Sequence, residues 1–143
     1  MPFRQTIKGN IHTDERGSLQ FFNDLDLSEV VRLYEIIPKI GVVRAWQGHK
    51  SEKKWLYCSQ GSFVLNLVAV DNFEKPSVSL RPEKKVLRAS QPEIVCVPEG
   101  YANGFIALEK YSKLVVFSNY NLTQSKQDDY RFKSDFWSAN WKP

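Results

Sequence analysis

The sequence lacks any long hydrophobic run. None of its apolar segments approaches the roughly 20 residues that a membrane-spanning helix needs. The opening residues MPFRQTIKGN also lack the apolar stretch that a signal peptide carries. We therefore expect a cytoplasmic protein with no membrane partner.

Cysteine is scarce, with two residues in the chain. Cys58 and Cys96 both lie inside apolar segments. A disulfide between them is one interpretation, but two buried thiols fit a cytoplasmic protein better.

Blocks of like charge are absent as well. The 20 lysines and arginines are scattered among 16 acidic residues, and the formal net charge is +4. Without a run of about five or six like charges, this composition favours a solvated, slightly basic surface over a nucleic-acid-binding one. The same charge would suit a small phosphorylated ligand.

The composition is that of a globular protein, with a hydrophobic fraction of 42% and an aromatic fraction of 13%. A chain of 143 residues is long enough for one domain with a substantial core. With no internal repeat and no linker, we predict a single domain over residues 1–143. Its core covers about 11–121, and residues 122–143 form a C-terminal strap over the domain or across a partner subunit.

Short apolar runs rich in β-branched and aromatic residues recur along the chain, separated by turn-forming residues. Little helical periodicity lies between them. Strands at this spacing indicate an all-β sandwich or barrel. The runs are SLQFF (18–22), VVRLYEII (30–37), WLYCS (55–59), SFVLNLVAV (62–70), EIVCV (93–97), GFIAL (104–108) and KLVVFSNY (113–120).

A polar cluster between two glycines, GVVRAWQGHKSEKKWLYCSQG (41–61), precedes the longest of these runs. Together with PEGYAN (98–103), its spacing resembles the metal-binding motifs of cupins, which are double-sheet jelly rolls. One imidazole, an ammonium group and two amides should not retain a first-row metal, so we predict no bound metal. These groups belong to the residues at the four ligand positions: Gln47, His49, Lys54 and Asn103.

The same residues resemble a metal-free cupin family that acts on nucleotide-linked 4-keto-6-deoxy sugars. Its two branches are the dTDP-4-dehydrorhamnose 3,5-epimerases and the dTDP-4-keto-6-deoxyhexose 3,4-ketoisomerases, which are related to the WxcM-like proteins. The resemblance covers about residues 11–137. It rests on five elements in order: TDERGSL (13–19), GVVRAWQGH (41–49), KWLYCSQGSFVLNLVAVD (54–71), VPEGYANGFIAL (97–108) and FSNYNLTQSK (117–126).

The resemblance implies a double-stranded β-helix jelly roll that needs no cofactor. It also implies a homodimer in which an N-terminal strand is exchanged, an arrangement that would remove an exposed sheet edge. The implied partner is a small molecule, a nucleotide-linked sugar, and not nucleic acid.

Proton movement next to a ketone needs a base, a group that stabilises the enolate oxygen and an acid that returns the proton. The resemblance implies that Lys54 stabilises the enolate. His49 matches the second histidine of the ketoisomerase pair and is the implied base. Tyr34 matches a ketoisomerase tyrosine and is the implied proton donor. The structural alternatives are a solvated lysine, a hydrogen-bonded histidine and a core aromatic.

Substrate binding is implied for a second set of residues. Arg16 and Arg44 match family arginines that reach the substrate or its diphosphate, a task that suits the planar guanidinium group. Arg16 would act across the dimer. Trp46 is the candidate for stacking on a sugar or base, and Gln47 and Asn103 complete the predicted set.

Three positions depart from the epimerase pattern. The catalytic histidine is replaced by Gln47, whose amide cannot act as a base near neutral pH. A second family histidine falls at Asn103, and the tyrosine acid falls near Val115.

These departures leave three interpretations open. The first is an isomerase, either an epimerase, whose matches run longer, or a 3,4-ketoisomerase, to which the GHK sequence at 48–50 is closer. The second is a catalytically lapsed cupin that binds a sugar nucleotide without turnover. The third is a cupin with unrelated small-molecule work, which the missing metal ligands disfavour.

Overall fold

The computed structural model describes residues 6–143, and their regular structure is almost entirely β-strand. Strands form where β-branched and aromatic side chains fit a pleated, half-buried surface. The elements are β1 (Thr6–Lys8), β2 (Asn10–Asp14), β3 (Gly17–Phe21), β4 (Arg32–Ile36), β5 (Arg44–His49), β6 (Lys54–Gln60), β7 (Ser62–Ala69), β8 (Glu83–Arg88), β9 (Glu93–Val97), β10 (Tyr101–Ala107), β11 (Lys113–Ser118), α1 (Leu122–Lys126) and β12 (Tyr130–Arg131).

The strands form two five-stranded sheets and a separate hairpin. The first sheet has the order β1-β9-β6-β11-β4, the second has the order β12-β5-β10-β7-β8, and β2 pairs with β3 alone. From β4 to β7, and again from β8 to β11, the chain changes sheet at every connection. This alternation is that of a double-sheet jelly roll, so the predicted all-β fold is confirmed.

The main core lies between the two sheets. Phe63, Leu65 and Leu67 of β7 pack there against Leu56 and Val95 of the first sheet. Burying each of these side chains stabilises the fold by roughly 1.5–3 kcal/mol. Because β7 is buried along nearly its whole length, its sequence reads as an apolar run instead of an alternating one.

A second apolar layer covers the outer face of the first sheet. Trp55, Ile94 and Cys96 pack there against side chains from residues 22–30, whereas Cys58 belongs to the core between the sheets. Both thiols are free. Burial raises the pKa of each thiol to about 11, so both stay protonated and unreactive at neutral pH.

The C-terminal strap packs on its own chain. Helix α1 opens with a capping box in which Asn121 accepts a hydrogen bond from the backbone N–H of Gln124. After α1, β12 pairs with β5, and Trp137 is buried with its ring centroid 5.4 Å from that of Trp46. Helix α1 has five residues, and no helix of residues 6–143 is long and apolar enough to cross a membrane.

Candidate active site

A cavity of about 630 Å³ opens between β4, β5, β10 and the strap. This volume is in the range of small-molecule sites. The cavity contains five of the residues that the sequence predicted, namely Tyr34, Arg44, Trp46, Gln47 and Asn103. Its other lining residues are Ile36, Val43, Ala45, Phe105, Arg131 and Phe132.

Gln47 bridges a cation and an anion in the cavity wall. Its Oε1 accepts a hydrogen bond from Lys54 Nζ at 3.1 Å, and its Nε2 donates to Asp129 Oδ1 at 3.2 Å. Arg131 Nε donates to the same carboxylate oxygen at 2.7 Å. The amide oxygen therefore faces the ammonium group, because only the amide nitrogen can donate to the carboxylate.

Lys54 is buried behind Gln47, with 3% of its surface exposed. Burial is the main cause that lowers the pKa of its ammonium group to about 8, and the nearby Glu52 charge opposes the shift. Below that pH the site holds a poorly hydrated cation, whose field acts strongly on a neighbouring carbonyl oxygen.

Tyr34 presents its ring to the cavity from β4. Arg32 Cζ lies 4.8 Å from the ring centroid, and Lys54 Nζ lies 5.9 Å from it. Burial raises the pKa of the Tyr34 hydroxyl, so this side chain is a protonated donor at neutral pH.

His49 is buried, with 2% of its surface exposed, and it does not line the cavity. Its Nδ1 lies 2.5 Å from the backbone carbonyl oxygen of Asp128. Since a carbonyl can only accept, Nδ1 carries the proton and Nε2 carries the lone pair. Nε2 is buried without a hydrogen-bond partner in residues 6–143. Burial, with the Lys54 charge as the second cause, lowers the pKa of the imidazole.

The remaining predicted residues have different surroundings. Arg44 Cζ lies 5.8 Å from the Phe105 ring centroid. Asn103 donates to the backbone carbonyl of Gln47 at 3.3 Å, and so holds β5 against β10. Trp46 is largely buried under the strap and donates from Nε1 to the Ser134 carbonyl at 3.2 Å.

Arg16 lies in the turn of the β2–β3 hairpin and does not line the cavity of its own chain. Its side chain is 82% exposed, and its guanidinium is paired with Asp14 at 2.8 Å. The role of Arg16 across a dimer therefore stays a prediction.

Val115, near which the tyrosine acid of the epimerases falls by sequence, does not face the cavity. Its neighbours Leu114 and Val116 belong to the core between the sheets, so alternation along β11 turns Val115 to the outer face. A residue at 115 therefore does not reach the cavity. The tyrosine of the cavity is Tyr34, which is paired in register with Val116.

Sequence reasoning missed four residues of this region: Glu52, Asp128, Asp129 and Arg131. Three of them belong to the strap, where the acidic pair at 128–129 interrupts a polar segment. Nothing in that local pattern indicates that the strap returns to β5, about 80 residues earlier in the chain.

The family model for dTDP-4-dehydrorhamnose 3,5-epimerase matches residues 5–142, nearly the whole chain. The chain belongs to this family. As a member of the epimerase family, the protein is a sugar-nucleotide epimerase or isomerase. Among curated proteins, none matches the chain.

Solved structures of epimerases and ketoisomerases share the fold. The rmlC epimerase of Mycobacterium tuberculosis is 23% identical with a TM-score of 0.73, covering 95% of this chain and 72% of that one. ChmJ, a 3'-monoepimerase from Streptomyces bikiniensis in complex with dTDP-quinovose, is 17% identical with a TM-score of 0.74, covering 96% and 76%. A 3,4-ketoisomerase from Helicobacter canadensis is 20% identical with a TM-score of 0.65, covering 92% of each chain. At these identities the likeness establishes the jelly-roll fold, while the family model establishes the epimerase family.

Proposed function

We propose that the protein is a metal-independent isomerase that moves a proton next to the C4 ketone of a nucleotide-linked 4-keto-6-deoxyhexose. The observation that carries this proposal is the pairing of Lys54 with Gln47 in the wall of the cavity, beside the Tyr34 ring. Tyr34 and two arginines thus line one cavity, and the Lys54 ammonium lies behind Gln47 in its wall.

The chemistry divides among three groups. Loss of a proton next to the ketone places negative charge on the carbonyl oxygen, and the Lys54 ammonium stabilises this charge. The Tyr34 hydroxyl returns a proton to carbon: to the same carbon from the opposite face in an epimerisation, or to C4 in a ketoisomerisation. His49 takes the first proton through Nε2, since its lowered pKa keeps the imidazole neutral at physiological pH.

His49 and Gln47 lie two residues apart on β5, so their side chains share one face of the strand. The lining of the cavity includes Gln47 but neither His49 nor Lys54. The proposed mechanism therefore requires the Gln47 side chain to move when the sugar ring binds, so that the ring can meet both groups.

The second candidate within this chemistry is a 3,4-ketoisomerase, in which C3 loses a proton and C4 gains one, while the O3 hydroxyl loses its proton and O4 is protonated. It is favoured by Tyr34, the tyrosine that lines the cavity, and by the outward position of Val115 on β11. Epimerisation is favoured by the family model that covers the chain, which is that of the 3,5-epimerases.

Substrate binding rests on the charged and aromatic lining. Arg44 and Arg131 both line the cavity and suit the two phosphates of a nucleoside diphosphate, because guanidinium groups bind phosphate oxygens in a bidentate way. Asp129 orients Arg131 through its Nε and leaves the terminal nitrogens for the ligand. Asn103 and Trp46 shape the wall next to Gln47.

A homodimer would complete the site. The β2–β3 hairpin pairs with no other strand of residues 6–143, and it exposes Arg16 and 61% of Leu19. Inserted against a second copy of the chain, it would bring Arg16 to the partner's cavity and cover the exposed hairpin edge. A cytoplasmic location stays a prediction.

The test is to incubate the protein with dTDP-4-keto-6-deoxyglucose in heavy water and to follow deuterium at C3 and C5. Deuterium at both carbons is the result expected of a 3,5-epimerase, and a 3-keto product is that of a ketoisomerase. Binding without exchange or a new product would instead identify a lapsed binder. If neither binding nor exchange occurs, the substrate assignment is wrong.

A further inference from the structure

Behind the cavity lies a buried polar cluster, which we call the Glu52 cluster. It consists of His49, Glu52, Ser118, Ser125 and Asp128, all of them buried. These side chains come from β5, the loop after it, β11, and two parts of the strap, α1 and the segment that follows it. Buried polar groups are costly unless they are paired, so this convergence needs an explanation.

The Glu52 carboxylate receives a donor from three elements. Ser125 Oγ donates to Oε1 at 2.7 Å, Ser118 Oγ donates to Oε2 at 2.5 Å, and Arg32 Nη2 donates to Oε2 at 3.3 Å. All three groups donate, as an ionised carboxylate requires. Glu52 thus places a fixed negative charge inside the barrel.

That charge lies directly behind the imidazole. His49 Nδ1 is 3.4 Å from Glu52 Oε1 and 2.5 Å from the Asp128 carbonyl oxygen. Both neighbours of Nδ1 are acceptors, so the proton stays on Nδ1 and the basic lone pair stays on Nε2. A positive imidazolium would gain an attractive partner in Glu52 without any rearrangement.

Asp128 holds this geometry through its carboxylate. The side-chain oxygens accept the backbone N–H groups of Lys50, Ser51 and Glu52 at 2.8, 2.9 and 2.9 Å. The loop that carries Glu52 and the carbonyl that contacts His49 are therefore joined through one residue.

The charged groups around His49 act in opposite directions. Glu52 and Asp128 favour the imidazolium, while Lys54 on β6 disfavours it. Arg32 acts on His49 through Glu52, since it is paired with that carboxylate. Removing the Glu52 charge leaves the Lys54 repulsion less opposed.

We propose that Glu52 is a positioning residue of the isomerase site, which stabilises the imidazolium that forms when His49 Nε2 accepts a substrate proton. The Asp128 carbonyl fixes the tautomer, and the Glu52 charge sets the basicity of Nε2. The catalytic part of this proposal rests on the proposed function, in which His49 is the base.

The chain has two histidines, which makes ¹⁵N NMR a direct measurement. His12 is exposed and serves as the internal reference. In the wild-type protein we expect His49 to carry its proton on Nδ1. In Glu52→Gln, which keeps the shape of the side chain and removes its charge, we expect the titration midpoint of His49 to fall while that of His12 stays.

Kinetics supply the second readout. In Glu52→Gln, kcat for isomerisation should fall by up to about 10²-fold with KM unchanged, since a positioned base contributes about 10²–10⁴-fold and the variant weakens that base without removing it. The acidic limb of kcat/KM should move to lower pH, because a weaker base is deprotonated at lower pH. A purely structural role would not move that limb. Glu74→Gln, at an exposed glutamate paired with Lys50, is the matched control and should change neither measurement.

Two results would overturn the proposal: a wild-type His49 protonated on Nε2, or a midpoint in Glu52→Gln equal to that of the wild type. If Glu52→Gln does not fold, Arg32→Gln is the second variant. It removes the cation that is paired with Glu52, so the Glu52 charge acts more strongly on the imidazole and the titration midpoint of His49 should rise. The NMR measurement decides the effect of Glu52 on His49, and deuterium exchange decides whether His49 is the base. The two proposals therefore fail separately.

Discussion

Gln47 occupies the position at which the resembling epimerases carry their catalytic histidine, and its amide here joins Lys54 to Asp129. A neutral amide can serve both neighbours at once, since its oxygen accepts and its nitrogen donates. A protonated imidazole at this position would instead repel the buried ammonium. The replacement is therefore compatible with an isomerase that keeps Lys54 and takes its base from elsewhere.

Lys54 offers a prediction at the scale of one residue. Its pKa is about 8 in the folded protein, against 10.5 for an unperturbed lysine. Because the folded value is the lower one, burying the charge destabilises the protein below pH 8, and this cost disappears as the pH rises to 10.5. At roughly 1.4 kcal/mol per pKa unit, the cost is about 3 kcal/mol at pH 7.

Lys54→Met should therefore increase the free energy of unfolding at pH 7 by about 1–2 kcal/mol, since the loss of the bond to Gln47 offsets part of the gain. This gain in the free energy of unfolding over the wild type should vanish as the pH approaches 10.5. Urea unfolding between pH 7 and 10.5 measures it, with Lys110→Met at an exposed position as the control. A pH-independent difference between Lys54→Met and the wild type would contradict the lowered pKa.

At the scale of elements, β5 is the strand that organises the site, because it is held on both sides. Strand β10 pairs with it along one edge and β12 of the strap along the other. The strap thereby brings Arg131 into register with Gln47. A cavity with walls from β4, β5 and the strap depends on this docking, so the strap is part of the site.

The turn between β6 and β7 gives a prediction for an element. Gly61 has a φ of +74°, and a Cβ there would lie 2.9 Å from Ser112 Cα; Gly41 has a φ of +75°, with nothing within 4 Å of the added Cβ. The two glycines thus share one backbone conformation and differ in the space around them.

Gly41→Ala should lower the free energy of unfolding by about 1 kcal/mol, the cost of a positive φ for alanine. Gly61→Ala should lower it by about 2–4 kcal/mol, because the contact with Ser112 adds to that cost. Chemical denaturation of both variants measures the difference. Equal losses would show that the turn relaxes around the added methyl group.

At the scale of the whole molecule, the β2–β3 hairpin stands apart from both large sheets. Among residues 6–143, neither of its strands pairs with any strand outside the hairpin. An unpaired hairpin with an exposed arginine at its turn suits exchange between two copies better than a free surface. The proposed dimer follows from this exposure and predicts a mass of twice 16.6 kDa in light scattering.

A complementation experiment tests the dimer and the role of Arg16 together. Arg16→Gln and Lys54→Met should each be nearly inactive alone. When subunits are mixed, each heterodimer contains one site with an intact Lys54 and an intact Arg16 from the partner subunit. Random mixing should restore on the order of one quarter of wild-type activity. No recovery in confirmed heterodimers would mean that Arg16 does not act across the interface.

The sequence by itself determined the class of fold and the family. Short β-branched runs such as SFVLNLVAV (62–70) and the turns between them predict an all-β sandwich or barrel, because strand periodicity is a local property. The resemblance of the motifs to the sugar-nucleotide cupins implies the jelly roll. The motif GVVRAWQGH (41–49) likewise located Arg44, Trp46 and Gln47, which line the cavity.

Only the tertiary structure decided what surrounds those residues. His49 reads as a polar residue near a turn, yet it is buried against Asp128, 79 residues further along the chain. Arg131 and Asp129 likewise reach Gln47 from the strap, and Val115 turns outward although its neighbours are in the core. Such contacts depend on which strands are adjacent and on which face each side chain lies, and local periodicity does not specify these pairings across the chain.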